Sequence, residues 1–506
     1  MKSNSKEKKP KNFKKFKYGS MSMAVLILVI AIVVVLNIIV SLLMKRYPIK
    51  ADLTADKRYE LCDETIEVLK DMESNVEITV TYPKETLIQY NYYQMIPEIL
   101  DKYSVYASGG KGKIDVNYVD ITKNPEVASK FNYNGTITEG MIVISTGEKV
   151  KVISITELFT QNSSQYASDN NISFVGESSI TSAIMSVTDA NPVNAAFATF
   201  LNSAYVYGED STIYYSAESF KKLLTSGGYE CSDIDVMTDA MSPDDYDLIV
   251  IPAPAADFGE DVIAKLEDFL YNDGNYGKNV IYLSSLSAVE LPNIEEFLAK
   301  WNISFGDEVI MDDTNMMKAT LSSLGGTASA PVVTIADTEA VGTLPNDSLP
   351  IVAPFSREAT ILTKNSDIVS TDLLRSASTS YLKNVDGTEA DGENAERTVA
   401  VLSKRQRSEN MDVYTSCVLA VGTAYIADPS ILANTSAYNN ANVLLNTVNT
   451  MTGKENSFVI PQKNLQTQTL ALKASQGRAI SIAVVYIIPL AVVAAGVIVF
   501  IRRKNR

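Results

Sequence analysis

The chain has no histidine. That removes Ser-His-Asp and Cys-His nucleophilic catalysis, which need an imidazole base. It also removes the usual zinc sites, and leaves carboxylate chemistry as the catalytic option. Cysteine is scarce: Cys62, Cys231 and Cys417 lie far apart, with no CxxC. Three thiols cannot all pair within one chain, so the fold does not rest on a disulfide framework. Cys231 and Cys417 fall in or near apolar runs and read as small core residues. No Walker A motif is present. The run GGKGK at 109–113 lacks the spacing GxxxxGK[ST] and precedes a strand, which makes it a turn. A formal net charge of −16 excludes nucleic acid as a partner. No catalytic, cofactor-binding or metal-ligating residue is assigned, and no cofactor is expected.

What the chain does have is two long apolar runs. Residues 21–44 and 479–501 carry no charge, and each is long enough to cross a hydrocarbon layer of roughly 30 Å as a helix. Eight lysines lie between residues 2 and 17, and Arg502, Arg503, Lys504 and Arg506 follow the second run. The positive-inside bias puts both tails in the cytoplasm and the acidic middle outside. The first run is too long for a signal-peptide core, and no small-x-small site precedes Lys45, so it reads as an uncleaved anchor. The basic tail also suits contact with anionic membrane lipid. The expectation is a two-span protein of a bacterial cell membrane, with basic tails at 1–20 and 502–506.

The middle is too long for one ordinary core. Residues 63–71 read as a helix after a capping turn, and Val76–Tyr82 as an alternating strand. A helical stretch follows at 85–106, then a strand at 113–119 and a hairpin at 140–152. This β-α-β-hairpin order over 51–172 suits a thioredoxin-like domain without the redox CxxC. Residues 173–190 hold a linking helix, with Ile180, Ala183, Ile184 and Val187 on one face and Glu177 at its start.

In 191–460 the wholly apolar runs at 248–251 and 279–283 are typical of buried parallel strands. Amphipathic helices alternate with them at 215–226, 257–271 and 293–301. Repeated β-α units imply a doubly wound parallel sheet. Residues 322–396 read as an irregular insertion with short strand-like runs such as PVVTIA and ATILTK, 440–452 as a closing helix, and 461–478 as a return segment. Ligands of such sheets sit beyond the strand C-termini, here the loops 252–258 and 284–291. Ser284 and Ser285 lie there without a base and read as turn residues. Asp244, Asp245 and Asp247 read as a turn before a strand.

The ordered set ADLTADKRYELCDETIEVL, GESSITSAIMSVTD, DYDLIVIPAP…LEDFLYNDG…VIYLSS, NNANVLLNTVNTMTGKEN and IPQKNL resembles GldG-family proteins, auxiliary components of ABC transporters. Cys62 stands where a serine is common in that family, and 322–396 diverges from it. The resemblance implies a glutamine-amidotransferase-like (flavodoxin-like) second domain. It also implies a membrane-anchored, extracytoplasmic, non-catalytic subunit beside an ABC-2-type permease and a cytoplasmic ABC ATPase, and no catalytic residue is carried over. Asn37, inside the first run, is a candidate hydrogen-bonding contact to that permease. Two other classes remain open from the residues: a ligand-binding receptor or sensor, and an amidotransferase-like hydrolase.

Overall fold

The computed structural model describes residues 28, 32, 35, 58–90, 92–162, 171–199, 217–254, 256–284, 290–385, 388, 393–409, 412–454 and 457–465. The chain divides into two compact units, 1–58 and 59–506. In the first, Leu28, Ile32 and Val35 are helical and exposed. The rest of this subsection concerns the second unit.

The expectation of a two-span membrane protein is corrected. Among the described residues no helix is long and apolar enough to cross a membrane. The longest of the unit's described helices have 13 residues, against the roughly 20 that a crossing needs, and their apolar faces are covered by protein. The cell-membrane localisation, with cytoplasmic termini and an external middle, was built on those spans and falls with them. Apart from Leu28, Ile32 and Val35, residues 21–44 and 479–501, Asn37 among them, lie outside the described residues, as do the tails 1–20 and 502–506.

The first layer begins with helix α1 (Asp63–Asp71), whose start is capped by the Cys62 sulfur accepting from Thr65 N. Strand β1 (Val76–Val80), the short helix α2 (Lys84–Leu87), helix α3 (Met95–Ala107) and strand β2 (Ile114–Tyr118) follow. A hairpin of β3 (Met141–Ser145) and β4 (Val150–Ser154) completes a four-stranded sheet of order β2-β1-β3-β4. The β1–β2 pair is parallel, and the other two pairs are antiparallel. A second hairpin, β5 (Phe159–Asn162) and β6 (Asn171–Phe174), leads into helix α4 (Gly176–Thr188). Ile78, Ile96, Leu100, Ile144 and Ile184 meet in one core. Burying each such side chain contributes about 1.5–3 kcal/mol.

The turn at 109–113 carries its glycines for close packing. A Cβ on Gly112 would lie 2.3 Å from Ser74 O, and one on Gly110 2.4 Å from Lys70 O. It leads into β2, so no helix N-terminus is there to hold a phosphate.

The second layer is a thirteen-stranded mixed sheet. It opens with β7 (Asn194–Thr199), helix α5 (Glu218–Ser226), β8 (Glu230–Asp235), β9 (Leu248–Pro252), helix α6 (Glu260–Tyr271), β10 (Asn279–Leu283) and helix α7 (Pro292–Lys300). Next come β11 (Ile303–Met311), β12 (Met316–Leu321), β13 (Gly326–Ile335), the short helix α8 (Thr338–Val341), β14 (Ile351–Val352), β15 (Arg357–Ile361), β16 (Ile368–Ser376) and β17 (Tyr381–Lys383). The series ends with β18 (Thr398–Glu409), β19 (Asp412–Val421), the short helix α9 (Pro429–Leu432) and helix α10 (Asn440–Thr452). The parallel part has the order β8-β7-β9-β10-β19, which is the 2-1-3-4-5 order of flavodoxin-like sheets. It is not a parallel sheet throughout. β18 returns antiparallel to β19, and β16, β13 and β12 extend the sheet in the same sense.

Alternation along the parallel strands puts two cores on opposite faces. Phe197, Val250, Ile281 and Leu419 pack with Phe220 of α5 and Leu444 of α10. Ile249, Val280 and Val418 pack with Leu266 of α6 and Phe297 of α7. The stretch 322–396, expected to be irregular, supplies strands β13–β17 to this sheet.

The chain then returns to the first layer. Strand β20 (Lys463–Asn464) pairs antiparallel with β6, and Leu465 N donates to Ile172 O. The layers also meet at Glu230 of β8, which pairs with Lys151 of β4 at 2.8 Å and accepts from Ser186 of α4. Burial alone would raise the Glu230 carboxyl, but these two partners outweigh it and hold it below its ordinary value.

Candidate functional site

Chemistry in a flavodoxin-like sheet is placed at the strand C-termini. Of the two serines expected there, Ser285 lies outside the described residues, and Ser284 follows β10 directly. Ser284 is buried, its N–H donates to Val421 O, and its carbonyl accepts from Ala424 N. Its hydroxyl oxygen accepts from Arg357 Nη1 at 3.4 Å. The same guanidinium donates through Nε to Gly306 O at 2.7 Å, reaches Asp307 at 3.3 Å, and lies 5.8 Å from the Phe305 ring centroid. Arg357 therefore stands over the ends of β10 and β19 as a plug. A guanidinium has donors only and no acceptor, so it is no general base for the serine hydroxyl.

The neighbouring groups are also engaged in structure. Asp257 accepts from Asn293 N at 2.9 Å and Ile294 N at 3.1 Å, which caps α7. Thr423 Oγ1 donates to Pro354 O at 2.6 Å. At the opposite strand ends Asp247 accepts from Asn194 N at 3.0 Å and pairs with Lys278 at 2.8 Å, tying β7, β9 and β10 together. Asp244 and Asp245 are exposed in the turn before β9. Among the described residues no group of three or more acidic or sulfur ligands is placed to hold a metal.

A buried polar cluster lies elsewhere, and its centre is Glu177, read from the sequence only as a favourable charge at a helix start. Its side chain is 2% exposed. Oε1 accepts from Cys62 N at 2.6 Å, and Oε2 lies 2.5 Å from Lys463 Nζ. Lys463 also donates to Glu60 O. Tyr103 OH donates to Glu177 O at 3.0 Å and shares a 2.5 Å hydrogen bond with Thr181. The cluster joins α1, α3, α4 and β20, so residues 60–65 and 463 are held side by side. We call it the clasp.

Cys62 belongs to the clasp, but its environment opposes nucleophilic chemistry. Burial first, and the Glu177 charge second, push the thiol up to about 12. At pH 8 the thiolate fraction is then about a thousandfold below that of a thiol at the ordinary 9.0. We expect iodoacetamide at pH 8 to leave Cys62 unmodified in the native protein and to alkylate it at once after unfolding, as read by peptide mass spectrometry. Native labelling of Cys62 at the rate of a free thiol would contradict this placement. Cys231 and Cys417 are likewise raised to about 11, chiefly by burial.

Residues 55–160 match the family described as Domain of unknown function (DUF7088). No curated protein matches the chain. Among solved structures, the mmIFT52 N-terminal domain is 13% identical with a TM-score of 0.36, over 52% of this chain and 98% of its own. A ThuA-like protein from Bacteroides uniformis is 14% identical with a TM-score of 0.31, over 53% and 94%. A GMP synthase component from Thermoplasma acidophilum is 9% identical with a TM-score of 0.27, over 52% and 96%. None of these matches names the GldG family or an ABC transporter, and likenesses of this strength carry no functional argument.

Proposed function

We propose that the protein is a non-catalytic auxiliary subunit of an ABC-type transport complex, a folded body that binds an ATPase–permease pair. The observation that carries this reading is the state of the strand edge. Arg357 occupies the position beside Ser284, and Asp257 and Thr423 are tied up in structural hydrogen bonds. What points to the ABC class is the ordered sequence resemblance to GldG-family auxiliary components. With no Walker A motif in the chain, ATP hydrolysis belongs to the partner.

The test is ATP turnover by a reconstituted pair of ABC ATPase and ABC-2-type permease from the source organism, measured with increasing amounts of the chain. The reading expects a saturable change in turnover. A rate unaffected at every concentration would count against it. Hydrolysis of glutamine by the chain alone, lost in Ser284→Ala, would favour the hydrolase class instead.

A further inference from the structure

A pocket of about 320 Å³ lies between the ends of α6 and α7 and the middle of β18. It sits at the N-terminal end of β10, away from the strand edge and the clasp. We propose that it binds a neutral saccharide.

Three features point to that chemistry. The first is an aromatic wall. Tyr271 is 52% exposed and meets Tyr276 edge-on, with ring centroids 6.0 Å apart. An exposed ring with a negative face attracts the weakly positive C–H groups of a sugar ring. The second is charge balance. Arg405 and Lys300 line the pocket together with Glu267 and Asp268, and Lys300 pairs with Glu267 at 2.7 Å. An anionic ligand would face two carboxylates and a cationic one would face two cations. A polyhydroxylated neutral ligand can accept from the cations and donate to the carboxylates. Arg405 lies over the Trp301 ring at 5.3 Å, which places its guanidinium at the pocket wall.

The third feature is that the walls are built in advance. Six non-glycine residues have a positive φ among the described residues. Four of them, Asn272, Asp273, Tyr276 and Asn302, lie on the two loops that flank this pocket. Such backbone persists only where surrounding contacts enforce it, and it concentrates at functional sites. Here Asn272 Nδ2 donates to Tyr276 O, and Asn302 and Asn365 exchange two hydrogen bonds, all at 2.8 Å. Loops fixed before binding lose little freedom when a ligand arrives.

The chain contains a single tryptophan, Trp301, and it lines the pocket. Its fluorescence therefore reports on this site without a label. The experiment titrates the full chain with glucose, galactose, N-acetylglucosamine, cellobiose, lactose and chitobiose, and repeats each titration by saturation-transfer NMR. At least one sugar is expected to give a saturable change in Trp301 emission. Tyr271→Ala and Asp268→Ala, both at exposed positions, are expected to weaken it about tenfold each while leaving the melting curve unchanged. Absence of any saturable response by both methods overturns the proposal. Equal binding by both variants overturns the location, and tighter binding of acetate or phosphate than of any sugar overturns the ligand class.

Discussion

Replacing Lys463 by methionine is expected to destabilise the protein by about 3–5 kcal/mol. The change keeps the length of the aliphatic stem and removes the charge. It leaves Glu177, 2% exposed, as a buried carboxylate whose Oε2 has lost the ammonium 2.5 Å away. The cost comes from that uncompensated charge more than from the attraction itself. Two ions taken from water lose most of what their mutual attraction returns. The double variant Glu177→Gln with Lys463→Met should therefore recover most of the loss, because the glutamine oxygen can still accept from Cys62 N. Urea unfolding of the two single variants and the double variant forms the cycle that isolates the pair. A Lys463→Met variant within about 0.5 kcal/mol of the parent, the range of ordinary surface changes, would show that the clasp does not hold residues 60–65 and 463 together.

Gly422→Ala is expected to cost about 1–3 kcal/mol by overpacking. A Cβ there would lie 2.2 Å from Arg357 O and 2.5 Å from Ser356 Oγ. The first contact is with backbone, so no rotamer change relieves it. Gly422 O also accepts from Arg357 N at 2.9 Å, and its own N donates to Val399 O at 2.8 Å. Moving this residue therefore displaces the start of β15 and, with it, the guanidinium that stands over Ser284. The variant should melt earlier and show faster amide exchange at 356–358 and 422–424, with the rest of the sheet protected as before. Gly453→Ala serves as the comparison. Nothing lies within 4 Å of its added Cβ, and its cost would come only from a φ of +68°. If Gly422→Ala melted no earlier than the parent, the close approach of 422 to 357 would not be a constraint on the fold.

Elements whose signal is local were legible in the sequence. The amphipathic run at 63–71 and the apolar run at 279–283 both fold over those residues, the first because it carries a helical period and the second because a short apolar run after a glycine-rich turn suits a buried strand. The single helix expected at 85–106 is instead two, with a break before Met95. Pro97 explains it. A proline fits the first turn of a helix but not its interior, so the helix starts just upstream and Tyr93 is freed to pack on Phe159 at 5.6 Å. In 322–396 the strand-like runs at 331–336 and 359–364 fall on β13 and β15, but their place in the large sheet was not legible. β13 pairs with β16 about 40 residues on, and such pairing leaves no local pattern. The clasp had no local signature at all. Glu177 meets Cys62 from 115 residues away, and Lys463 meets Glu60 from 403 residues away. Chain length and apolarity suggested two spans, and no described helix has that length.

The central claim is that this body binds an ABC transport pair and performs no chemistry of its own. It is tested most directly by affinity capture of the tagged full chain after mild solubilisation, from cells co-expressing an ABC ATPase and ABC-2-type permease pair from the source organism. The account predicts that both partners elute with the chain in fixed ratio, and that Ser284→Ala, which removes only a structural hydroxyl, leaves the capture unchanged. Recovery of the chain always alone, with both partners present in the same lysate, would contradict it.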